Sequence, residues 1–102
     1  MDLRCDATDQ LFDTILHLET LEDCYRFFED LCTIRELRDL SQRYQIARLL
    51  SQGLNYQTIV KQTDASTTTI SRVNQCLNYG AGGYREALNK MKTSKEAQQA
   101  CP

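Results

Sequence analysis

The chain has 102 residues, room for one domain at roughly 100–200 residues each, and 25% charged with 41% hydrophobic content marks it as a folded rather than a disordered chain. No apolar stretch approaches the ~20 residues that span a bilayer, and with four glycines and one proline, Pro102, nothing interrupts helices, so the expected fold class is all-α. A net charge of −2 conceals an asymmetry: residues 1–32 hold nine acidic and two basic residues, whereas residues 33–90 hold eight basic and four acidic ones. An acidic head before a basic body suggests that only the body faces a polyanion, although solvated helix faces would leave the same pattern.

The opening residues, Met1 to Asp6, are acidic and lack an apolar signal core, so the cytoplasm is the expected address. Apolar residues then recur at helical spacing. Leu11, Ile15 and Leu18 form one stripe, with Phe12 and Leu16 beside it. Thr20-Leu-Glu-Asp23 reads as a helix start, with a hydroxyl to cap and acids facing the macrodipole. The next helix carries Leu21, Cys24, Tyr25, Phe28, Leu31 and Cys32 on one face, widened by Phe27. Thr33-Ile-Arg-Glu36 fits a capping box, in which the threonine oxygen takes the amide at Glu36 while the glutamate reaches back to the threonine amide.

From there Ile34, Leu37, Leu40, Tyr44, Ala47 and Leu50 step by threes and fours through a long amphipathic helix, with Ile46 and Leu49 as a second flank. Gly53 supplies a left-handed C-cap. Shorter elements follow: a helix over Tyr56–Thr63 with Tyr56, Ile59 and Val60 inward, a turn at Asp64-Ala-Ser66, and a helix opened by Ser66 with Ile70, Val73 and Leu77 inward. Residues 78–83 are loop chemistry. Tyr84–Met91 predicts a last short helix around Ala87, Leu88 and Met91, and residues 92–102 are expected to be a flexible polar tail. No internal repeat, low-complexity tract or linker is evident.

Five cysteines (Cys5, Cys24, Cys32, Cys76 and Cys101) contain no C-x-x-C pair and are accompanied by one histidine, His17. That spacing excludes a zinc finger, and no metal is expected. Scattered, odd-numbered thiols read as reduced, with Cys24 and Cys32 packed as small hydrophobes. No nucleophile with an orienting base, pair of carboxylates or phosphate loop is present, so no catalytic residues are assigned and an enzyme is not expected.

Two short helices joined by a tight turn, the second rich in small hydroxylated residues, make a helix-turn-helix pattern. Tyr56-Gln-Thr-Ile-Val60, Asp64-Ala-Ser66 and Thr67-Thr-Thr-Ile-Ser-Arg-Val73 supply its parts. Ser66 caps the second helix while Ile70 and Val73 anchor it, leaving Thr67, Thr68, Thr69, Ser71 and Arg72 pointing away. Short hydroxyls and one guanidinium suit a major-groove floor and its flanking phosphates. Val60 stands where a small residue is usual and Asp64 where glycine is usual; aspartate tolerates the left-handed conformation better than most residues.

Beyond the motif, Thr33-Ile-Arg-Glu-Leu-Arg-Asp-Leu40, Arg43 through Leu50 before Gly53, and Thr69-Ile-Ser-Arg72 resemble the tryptophan-repressor-like family, most closely its YerC/YecD-type branch. The resemblance covers residues 33–88. It implies an intertwined all-α homodimer with a helix-turn-helix in each chain. Residues 1–32 would be dimerisation helices, and residues 33–91 the long helix, the helix-turn-helix and a C-terminal helix of one domain. The wide apolar faces over residues 11–32 agree, because so small a chain has little surface with which to cover them.

The family's DNA surface falls on Gln57, Thr58 and Lys61 of the first motif helix and on Thr67, Thr68, Thr69 and Ser71 of the second. Lys61 and Arg72 would contact phosphate, and Thr68 and Thr69 base edges or a thymine methyl. The family's effector pocket falls on Thr33, Arg43, Arg72 and Cys76, the arginines flanking an indole in founding members. Here Val73 replaces a glycine, Cys76 a serine, and the turn is one residue shorter. These changes narrow the pocket and count against L-tryptophan or another small effector; no cofactor is required. For Arg43 and Arg72 the plainer roles are a DNA-backbone contact or a surface ion pair. The expected function is a sequence-specific DNA-binding transcriptional regulator, a repressor by family likeness, acting as a homodimer on double-stranded DNA without membrane or metal. The alternative is a helical dimer serving as a protein-interaction module, its acidic head being the adhesive part.

Overall fold

The computed structural model describes residues 3–100, with side chains through residue 93. Six helices account for the regular structure of the described residues: α1 (Asp6–Leu16), α2 (Leu21–Leu31), α3 (Ile34–Ser51), α4 (Tyr56–Thr63), α5 (Thr67–Tyr79) and α6 (Gly83–Ala100). No strand occurs among the described residues, and no helix there is long and apolar enough to cross a membrane. The described residues divide into two compact units that meet between Leu37 and Arg38, inside α3.

In the first unit the caps follow from sequence. Thr20 Oγ accepts the Asp23 amide at 3.0 Å, and the Asp23 carboxylate receives Arg26 at 2.8 Å. Arg26 above all, then Thr20, holds the Asp23 carboxyl below the usual range. Thr33 and Glu36 form the reciprocal capping box at 3.1 and 2.9 Å. The expected stripe Leu11, Ile15 and Leu18 is half-buried, as are Cys24, Phe27 and Phe28, with the two phenylalanine rings edge to face at 5.5 Å. Yet neither α1 nor α2 buries a residue fully, and Leu16 (80% exposed), Leu21 (75%) and Tyr25 lie open.

In the second unit Ile46, Ala47 and Leu49 of α3, Ile59 of α4, Ala65 of the turn, and Ile70 and Val73 of α5 close one core, with Leu50, Leu54, Tyr56, Val60, Tyr84 and Leu88 packed around it. The long stripe expected on α3 is therefore buried only at its C-terminal end, where Ala47 is fully buried and Leu50 packs on the core. Ile46 and Leu49, read as a flank, are buried, while Ile34, Leu40 and Tyr44 are exposed. Alternation by threes and fours describes both faces of this helix, and periodicity alone cannot say which one meets α4 and α5.

Gly53, at φ +84°, ends α3 as anticipated. Its amide bonds to the Leu50 carbonyl and the Leu54 amide to that of Leu49, a Schellman pair that satisfies the last carbonyls. α6 is longer than the expected Tyr84–Met91 and runs through Ala100, which corrects the assignment of residues 92–100 to a tail. Alanine, glutamate, lysine and glutamine dominate that stretch, and no glycine or proline interrupts it before Pro102. Cys101 and Pro102 lie outside the described residues.

Candidate nucleic-acid interface

α4, Asp64-Ala-Ser66 and α5 form the helix-turn-helix with the boundaries expected for α4 and for the start of α5. Asn55 caps α4 by accepting the Thr58 amide at 2.9 Å. The chain then turns at Asp64, the only non-glycine residue among those described with positive φ (57°). Its own amide still bonds to the Val60 carbonyl at 2.9 Å, so the left-handed residue closes α4 instead of breaking it. Ala65 is buried (5% exposed) beneath the turn. Ser66 then caps α5, its hydroxyl accepting the Thr69 amide at 3.2 Å.

The turn is also tied from outside. Thr63, the last residue of α4, donates its hydroxyl to the Ile59 carbonyl at 2.7 Å and accepts the Ala65 amide at 3.3 Å. Its carbonyl accepts the side-chain amide of Gln42, from α3, at 3.0 Å. Nothing in the local pattern of sequence singled out Gln42.

On α5 the buried face is Ile70, Val73 and Leu77. At about 100° per residue the opposite stripe is Thr68, Arg72, Gln75 and Tyr79, all four exposed. Thr67 and Ser71 are exposed beside it. Thr69 departs from expectation: it is half-buried, and its hydroxyl stands 3.1 Å from that of Ser66, so it belongs to the cap more than to the outer face. On α4, Gln57 and Lys61 are exposed and Thr58 is half-buried. Gln75 and Tyr79 were missed, although the spacing 68, 72, 75, 79 that carries them is visible in the sequence.

The electrostatics of these two helices set them apart. α1, α2, α3 and α6 carry acids in their first turns, whereas α4 and α5 carry none. The free amides at the start of α5 thus keep their partial positive charge.

A family model described as Trp repressor protein matches residues 6–92. This chain belongs to that family. It falls in the YerC-type branch: the uncharacterized protein YerC of Bacillus subtilis (strain 168) is 53% identical over 93 residues, spanning 91% of this chain and 89% of that protein. Two solved structures share the fold. A crystal structure of a suggested Trp repressor from Staphylococcus aureus superposes with a TM-score of 0.85 at 50% identity, covering 88% of this chain and 90% of its own. A TrpR like protein from Eubacterium eligens ATCC 27750 gives 0.86 at 47%, covering 88% and 93%. The Trp repressor family is one of DNA-binding regulators rather than enzymes, and the all-α fold and helix-turn-helix are consistent with membership.

Among the residues expected to form an effector pocket, the Thr33 hydroxyl caps α3 by accepting the Glu36 amide. The backbone amide of Thr33 first, and its hydroxyl second, hold the Glu36 carboxyl below the usual range. Arg43, Arg72 and Cys76 are exposed. Val73 is 4% exposed and is part of the core. Cys5, Cys24, Cys32 and Cys76 carry free thiols, Cys24 and Cys32 half-buried, and no group of metal-ligating side chains occurs among the described residues.

Proposed function

We propose that this protein is a sequence-specific transcriptional regulator that binds double-stranded DNA as a homodimer and represses by occupying an operator. The observation that carries the reading is the outer stripe of α5. Thr68, Arg72 and Gln75 stand opposite the buried Ile70, Val73 and Leu77, on a helix capped by Ser66 and free of acids in its first turn. In a major groove, Thr68 offers a hydroxyl and a methyl to base edges. Gln75 offers an amide whose donor and acceptor match adenine, and Arg72 and Lys61 reach phosphates. Gln57, Thr67 and Ser71 flank them, and Arg43 is available to the DNA backbone.

The dimer is supported by what a single chain leaves wet. Phe12 is 57%, Leu16 80%, Leu21 75% and Ile34 74% exposed. Apolar faces of this kind mark association surfaces, and a second copy covers both sets alike under twofold symmetry. Such a dimer sets its two α5 helices about one DNA turn, ~34 Å, apart.

Fluorescence anisotropy with random-sequence duplex across a salt gradient, alongside the mass of the particle in solution, tests the reading. Binding at low salt that weakens as salt rises, with a dimeric mass, supports it. A dimer with no affinity for duplex at low salt would instead favour a protein-interaction module.

A further inference from the structure

We propose that Gln42 is a positioning residue for DNA reading, tying the helix-turn-helix to α3 so that α5 is set for DNA without a small-molecule effector. The inference rests on the reading of α5 as the DNA-facing helix, and adds how that helix is held.

α4 has only eight residues, and the carbonyls of its last turn lack intrahelical partners. One of them, on Thr63, receives the Gln42 amide at 3.0 Å across 21 residues of sequence, in a partly buried position. Thr63 is also where the chain leaves α4, next to the left-handed Asp64, and its hydroxyl bridges the Ile59 carbonyl and the Ala65 amide. One residue thus joins α3, α4 and the turn that aims α5. Rotating the motif away from α3 breaks the Gln42 bond where water replaces it poorly.

Val73 supplies the second contact. Val73 is 4% exposed and lies in the core cluster that also holds Ile46 and Ala47 of α3 and Ile59 of α4. The family's name implies L-tryptophan as effector, and the residues here do not fit it. Where the resemblance matches a glycine, this chain carries the buried, branched Val73. An effector shifts an equilibrium only by its differential affinity for two states. Gln42 and Val73 give the chain its own means of holding one.

The test uses the full chain with two probes: a duplex enriched from a random library by the wild-type protein, and a shuffled duplex. Gln42→Met and Gln42→Asn remove the bond, the first by chemistry and the second by reach. Each should lower the specific-to-shuffled affinity ratio by about fivefold. Affinity for the shuffled duplex and its salt slope should stay unchanged, and amide exchange at Asp64 and Ala65 should quicken. Millimolar L-tryptophan should change neither wild-type affinity nor the melting temperature. An unchanged ratio and unchanged exchange in both variants would overturn the role of Gln42, and a severalfold tightening by L-tryptophan would overturn effector independence. If the wild type binds neither duplex, the DNA reading fails instead, while amide exchange still decides whether Gln42 holds the turn.

Discussion

Ser66 and Thr69 are joined twice: the serine hydroxyl accepts the threonine amide at 3.2 Å, and the two hydroxyl oxygens stand 3.1 Å apart. The start of α5 is therefore made by the same pair that a sequence reading would divide between cap and base contact. Thr68, one residue earlier, is exposed on the outer stripe. The two threonines should separate by experiment. Ser66→Ala should cost about 1 kcal/mol of folding stability, as loss of an N-cap does. Thr69→Val should lower the melting temperature with little change in preferred sequence. Thr68→Val should do the reverse, changing discrimination at one base pair by ~1–3 kcal/mol. Thermal denaturation beside binding to a panel of single-substitution duplexes reads both.

Asp64 holds a left-handed backbone (φ 57°) that glycine adopts without steric cost. Asp64→Gly should raise the melting temperature, with a gain of up to about 1 kcal/mol set against the greater entropy of the unfolded glycine. Gly53→Ala should do the opposite. Position 53 has open space around a Cβ, so the penalty there is backbone strain at φ +84° and not a clash.

Lys61 and Arg72 are exposed cations on adjoining helices of the motif. If each meets a phosphate, Lys61→Ala and Arg72→Ala should each weaken binding to all duplexes alike and reduce the slope of log K against log salt by about 0.9. Salt titrations of the two variants and of wild type decide it; unchanged slopes in both would misplace the backbone contact.

Asp23 and Glu36 are held in their charged forms by the caps of α2 and α3. Because folding lowers both values, their contribution is complete above the ordinary carboxylate range, about pH 4, and is lost as pH falls through the lowered values. The melting temperature should thus drop on acidification below about pH 4. The drop should be smaller in Glu36→Gln, which lacks the titrating group. Melting curves from pH 7 downward provide the comparison.

Local chemistry made much of this fold legible. Thr20, Thr33, Gly53 and Ser66 each terminate or start a helix for reasons contained within a few residues, and the structure places them accordingly. Sequence reading failed where the deciding contact is distant. Ile46 and Leu49 outrank Leu40 and Tyr44 as core because α4 and α5 pack on that side of α3, which no helical period encodes. Gln42 is a neutral side chain whose partner lies 21 residues away. Gln75 and Tyr79 could have been found, because they continue the spacing of Thr68 and Arg72. The last helix extends past Met91 because residues 92–100, though polar, are mostly of types that favour helix.

The most direct measurement is selection of bound sites from a random duplex library by the wild-type chain, repeated with Thr68→Val and Gln75→Ala. The expected result is an inverted repeat with half-site centres about one helical turn apart, and a changed base preference within each half-site for both variants. Failure to enrich any sequence, or enrichment of the same motif by all three proteins, would contradict the assignment of α5 as the helix that reads DNA.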